Sequence, residues 1–193
     1  MIGNDIVDLK QAAIESNWER KGFLNKVFTK KEKRYIQNSK NAFLVVWQLW
    51  SMKESAYKIN IQQYQHRFFN PKKIECTLVE YLEKGLVKIN TDHYVTFSAR
   101  NNAFIHTVAV LKSTDKMESK CFKINDSSYK NQHQTCHIKL TEAVSQRLSI
   151  KNEVVTIKKD ILGIPKLYRN GKLLETLCSI SHHGNYGAYA IAR

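Results

Sequence analysis

The stretch LWSMKESAYK, residues 49–58, decides how this chain is read. It closes a longer run, FLVVWQLWSMKESAYKI (43–59), which contains neither Gly nor Pro and is long enough for a helix of about four turns. At about 100° per residue, Trp47, Trp50, Glu54 and Lys58 step by three, four and four and fall on one narrow stripe. An exposed Glu-to-Lys pair at i,i+4 gives the same spacing and is worth a few tenths of a kcal/mol. The shared stripe with two tryptophans argues against mere surface decoration, because Glu is rarely buried unless paired or coordinated. Both readings stand at this point.

Upstream, TKKE places Glu32 three residues after Thr29, the reciprocal capping pattern, and predicts a helix beginning there. The opening IGNDIVDL is short and mostly apolar and predicts a strand; Asp5 on it is either the solvent face of an edge strand or part of a site. Downstream, KIECTLVE, GLVKIN, HYVTFSA and FIHTVAVL predict four strands. Residues 112–120, KSTDKMESK, lack apolar periodicity and predict a linker between two halves, 1–111 and 121–193. The second half predicts a strand at CFKI and a helix over 134–148 with Leu140, Val144 and Leu148 on one face. A hairpin closed by Asn170-Gly171 and a final strand in GAYAIA complete it. The fold class is α+β.

With 193 residues the chain buries a core without staples, and its four cysteines form no C-x-x-C pair. Together with the lack of a leader-like or membrane-length apolar run, this predicts a soluble, cytoplasmic protein with no membrane partner. A net charge of +14 and a pI near 9.6 point to an anionic partner, whether nucleic acid, an acidic protein or a polyphosphate-bearing small molecule, beside the plain alternative of a basic surface kept for solubility. The tail SISHHGNYGAYAIAR sets His182 and His183 before a glycine, offering metal ligands, a nucleophile's base or anion donors. No third ligand stands at zinc spacing, so an anion site fits better, beside the ordinary alternative of a structural turn. Asp5 and Glu54 would suit magnesium, and Lys53 and Lys58 would neutralise substrate phosphates.

GNDIVDL, LWSMKESAYK and SISHHGNYGAYAIA, with FLNKVFTKKEKRY before the second, resemble the signature motifs of the 4'-phosphopantetheinyl transferase superfamily. The resemblance implies two pseudo-twofold-related lobes, each an antiparallel sheet packed with helices. It implies transfer of 4'-phosphopantetheine from coenzyme A to a serine of an acidic apo acyl or peptidyl carrier protein, releasing adenosine 3',5'-bisphosphate. Asp5 and Glu54 would hold Mg2+, and Glu54 or a water would take the serine proton. Lys58, and less centrally Lys53, would steady the diphosphate; Ser181 and His182 would bind the nucleotide's 3'-phosphate, with no role for His183. An apolar groove near the helix of 29–38 would meet the carrier.

The Ser-His motif follows the Asp and Lys-Glu motifs, as in the small trimeric synthases, yet the segments resemble the lobes of the large two-lobed type in exchanged order. That implies a circularly permuted pseudo-dimer, monomeric in solution; the alternative is a small-type synthase with an insertion, which would need neighbouring chains to complete its sites. Two positions depart from the pattern. Val7 stands where the large type has a second acid, and Gly163-Ile164-Pro165 lacks the lysine of a G-K-P motif, for which Lys166 is the nearest substitute. The alternatives are a degenerate member that binds a carrier or coenzyme A without catalysis, and a basic nucleic-acid-binding protein, which the scattered lysines disfavour.

Overall fold

The computed structural model describes residues 1–192 apart from 69, 80–82 and 113–116. The middle of the predicted linker and the last residue of the predicted strand 73–80 therefore lie outside the described residues. The first half runs β1 (Ile2–Asp8), α1 (Leu9–Glu15), α2 (Phe23–Val27), α3 (Lys30–Gln37), α4 (Ala42–Tyr64), β2 (Ile74–Val79), β3 (Lys84–Ile89), β4 (Asp92–Arg100) and β5 (Phe104–Val110). Its strands form one antiparallel sheet in the order β1-β5-β4-β3-β2.

The second half runs β6 (Met117–Lys123), α5 (Tyr129–Leu148), β7 (Val155–Lys159), β8 (Pro165–Arg169), β9 (Lys172–Leu173), β10 (Cys178–His183) and β11 (Tyr186–Ala192). Here the sheet is split into β10-β11-β6 and β7-β8-β9, with β8 packed beside β10. Leaving out the short β9, the order β6-β11-β10-β8-β7 repeats β1-β5-β4-β3-β2, and α5 takes the place of α4 between the first and second strands of its half. The two lobes follow one plan.

Helix α4 is buried on most of its circumference, from Val45 through Leu49 and Met52 to Ile59, which is why its apolar residues show no single stripe. It packs on Val7, Val87, Ile89, Tyr94, Ile105 and Ala109 of the first sheet. The second core gathers Leu140 and Val144 of α5 against Val155, Leu167, Tyr189 and Ile191. A seam of Ile2, Val108 and Val110 against Ala190, flanked by Val95, Phe97, Met117 and Ala192, joins the lobes. Among the described residues no helix is long and apolar enough to cross a membrane.

The Thr29 cap is present in both directions: Glu32 N–H donates to the Thr29 hydroxyl and Thr29 N–H to the Glu32 carboxylate. The expectation of a linker over 112–120 is corrected at its end. Residues 117–120 belong to β6, an edge strand whose register runs from Met117 against Ala192 to Lys123 against Tyr186. An edge strand needs pairing on one side only, so Ser119 and Lys120 stay solvated and no apolar alternation marks them.

Candidate functional site

Strand β1 crosses α4 at very close range. A methyl group at Gly3 would collide with the Ser55 carbonyl, so only glycine lets the strand lie this near the helix. The helix face beneath is equally slim. Ser51 donates its hydroxyl to the Asp5 carbonyl at 3.2 Å, and Ser55, one turn later, donates to the carbonyls of Ser51 and Thr107. This contact brings the carboxylates of Asp5 and Glu54 close enough to act on one another.

Burial pushes the Asp5 carboxyl up to about 7; Glu54 adds to the rise and Lys58 opposes it. Burial also raises Glu54, again against Lys58. The Lys58 ammonium lies 3.9 Å from Asp5 Oδ1, too far for a good hydrogen bond, while the other oxygen, Oδ2, is buried with no hydrogen-bond partner among the described residues. An orphaned carboxylate oxygen beside a second acid is a cost to the free protein that a small hard cation would relieve. Among the described residues no three His, Cys, Asp or Glu side chains gather to hold a metal; the two acids at this place are Asp5 and Glu54.

Lys58 also ties in the third motif. Its ammonium donates to the Asn4 carbonyl at 2.6 Å and reaches the Ile180 carbonyl of β10 at 3.4 Å. One residue further on, the Ser181 hydroxyl accepts from the Asn4 side-chain amide at 2.9 Å, and the Ser179 hydroxyl accepts from Asn4 N–H. The Asn4 amide also lies 3.2 Å from Nε2 of buried His106. Strand alternation turns His182 to the other face of β10, into a cavity of about 80 Å³ lined also by His133, His137 and Lys159. Segments far apart in sequence, 3–8, 51–58 and 179–183, thus meet at one place.

A family model described as the 4'-phosphopantetheinyl transferase superfamily matches residues 1–109, more than half of the chain. The chain belongs to that superfamily. Asp5, Glu54 and Lys58 lie inside the matched segment, and Ser181 and His182 lie beyond it. Among solved structures, a holo-[acyl-carrier-protein] synthase from Thermotoga maritima is similar at 10% identity, with a TM-score of 0.36 over 89% of this chain and 83% of that one. No curated protein matches the chain.

Two expected residues of this superfamily member sit elsewhere. Lys53 does not face Asp5 and Glu54. It is 1% exposed and spans both Glu32 oxygens at 2.8 and 2.9 Å, with further bonds to the carbonyls of Pro71 and Ile74. The turn of about 100° from Glu54 sends it to the far side of α4. Lys166, the substitute for the missing lysine at Ile164, lines a separate cavity of about 200 Å³ with Leu173, Glu175 and Leu177. The lysine beside His182 is Lys159, paired in register with Pro165 across β7 and β8. Its position on a strand neighbouring the G-I-P turn was the available signal.

Sequence reading also missed Asn4, His106, His133 and His137, whose partners come from other segments. His183 has a structural part: its Nδ1 accepts from Asp8 N–H at 3.0 Å, and Nε2 lies 3.2 Å from Glu15, pinning α1 to the final turn.

Proposed function

We propose that this transferase moves 4'-phosphopantetheine from coenzyme A to a serine hydroxyl of an acidic apo carrier protein. The observation that supports the reading best is Lys58, which touches the Asp5 strand and the Ser-His strand from the Lys-Glu helix. A serine hydroxyl attacks the phosphorus on the pantetheine side of the diphosphate; the new O–P bond replaces the bond to the nucleotide, and adenosine 3',5'-bisphosphate leaves. Asp5 and Glu54 would hold Mg2+, completed by water and diphosphate oxygens, which would supply charge neutralisation of the diphosphate. Lys58 places a fixed positive charge beside the same oxygens. Burial raises the Glu54 carboxyl against the pull of Lys58, which makes its carboxylate a stronger base for the serine proton. His182 holds the nucleotide end, and the +14 net charge steers two anionic substrates to the site.

Intact-mass spectrometry of an apo acyl carrier protein with coenzyme A and Mg2+ tests this. The carrier is expected to gain one phosphopantetheine, and EDTA or Glu54→Ala is expected to lower the rate at least about a hundredfold. Coenzyme A binding with no transfer to any of several carriers would instead favour a non-catalytic binding protein.

A further inference from the structure

Asn4 lies fully buried on β1, between Gly3, which the close approach to α4 requires, and Asp5. Its backbone N–H donates to the Ser179 hydroxyl at 2.9 Å and its side-chain amide to the Ser181 hydroxyl at 2.9 Å. Two serines on one face of β10 thus accept from a single residue of the other lobe. The Asn4 carbonyl accepts from Lys58 at 2.6 Å, and the amide also faces Nε2 of His106 at 3.2 Å. The remaining atom, Oδ1, is buried with no hydrogen-bond partner among the described residues.

We propose that Asn4 is a positioning residue for the transfer reaction: its side-chain amide holds the Ser181 hydroxyl as an acceptor and so presets that hydroxyl's proton for donation to coenzyme A. The inference rests on coenzyme A being the substrate and on Ser181 touching it.

The chemistry lies in the sense of the bond. A hydroxyl carries one proton and two lone pairs, and an amide N–H can only donate, so it occupies a lone pair of Ser181 and leaves the proton for another acceptor. Turned over, the amide would offer Oδ1 to Ser181, take up that proton and leave Nδ2 unpaired instead. Either sense strands one buried polar atom, which protein interiors rarely carry. Packing therefore does not ask for an asparagine between Gly3 and Asp5. Substrate chemistry does, because the phosphate oxygens of coenzyme A need donors, and a hydroxyl already set as a donor meets them without reorienting.

Isothermal titration of coenzyme A and steady-state transfer kinetics of Asn4→Ala, Ser181→Ala and the double variant test this. Any such change at position 4 keeps the backbone N–H and carbonyl, so the bonds to Ser179 and Lys58 stay and only the amide is removed. Asn4→Ala is expected to raise Kd and KM for coenzyme A about five- to tenfold, with kcat within about twofold of wild type. In the Ser181→Ala background the same substitution should change neither, because the group it acts through is gone. A residue that merely supports the fold would lower the active fraction, and with it kcat, by the same factor in both backgrounds while KM stayed put. Asn4→Leu, close to asparagine in size and without a polar atom, carries the same test if the alanine variant does not fold.

An unchanged KM, or an equal rise in both backgrounds, would overturn the inference. This pattern in the titrations without transfer to any carrier would leave it standing and remove the proposed reaction. Transfer by wild type together with a wild-type KM and Kd in Asn4→Ala would do the reverse, and a wild type that binds no coenzyme A would remove both.

Discussion

Lys53 and Glu54 are neighbours in sequence with opposite fates, and the difference is one residue's rotation around α4. Lys53 is sealed against Glu32, which also accepts from Thr29 N–H and Cys76 N–H, so a single carboxylate caps α3, anchors β2 and neutralises a buried ammonium. Removing one member of such a pair leaves an uncompensated buried charge, at a cost of about 3–5 kcal/mol. Lys53→Met is therefore expected to lower the midpoint of thermal unfolding by roughly 6–20 °C, at about 2–4 °C per kcal/mol for a chain this size. Adding Glu32→Gln should recover part of the loss. Phosphopantetheine transfer by the folded fraction, assayed in the cold, should stay near wild type; a folded Lys53→Met protein that binds coenzyme A poorly would put Lys53 back in the site. The Glu54 and Lys58 stripe was legible because helical spacing is local. The Lys53 partner was not, because Glu32 lies on another helix and only tertiary packing brings the two together.

At the level of elements, local signals worked where periodicity or capping was strong. The Thr29 cap, the two long helices, the five strands of the first sheet and the Asn170-Gly171 turn all appear. Helix α5 starts earlier than expected, at Tyr129, because its first turn, YKNQH, carries no apolar repeat. Helix α1 was overlooked although Asp8 is a readable N-cap, accepting from Lys10 N–H and Gln11 N–H. Strand β5 holds a feature with a measurable consequence: His106 is 4% exposed against Asn4, and burial, with Lys58 second, holds it down at about 4. Between that value and the ordinary 6.5 the unfolded chain binds the extra proton. Its contribution is thus fully present above pH 6.5 and lost as pH falls through about 4, a change of roughly 3 kcal/mol at most. Urea unfolding of wild type and His106→Gln at pH 7.5 and 4.5 should show wild type losing about 2 kcal/mol more on acidification. Parallel losses in the two proteins would remove His106 as the source.

For the whole molecule, the repeated strand order of the two lobes bears on assembly. The motif order hinted at exchanged lobes, but the split between β8 and β10 could not be read, since it depends on pairing rather than on the strands themselves. We propose that the second lobe occupies the place a neighbouring subunit would otherwise fill. The seam of Ile2, Val108 and Val110 on Ala190 is closed inside one chain, and Lys58 of the first lobe bonds the Ile180 carbonyl of the second. A site completed in this way has no need of a partner copy. Light scattering is expected to give one species at 22.5 kDa across the concentrations used for assay. A stricter test mixes Glu54→Ala with His182→Ala. If each chain carries its own complete site, no combination of the two inactive chains restores transfer, whatever the mixing ratio. Recovery of activity, together with a mass three times that of the chain, would mean that sites are shared between subunits and that the two lobes do not pair within one chain.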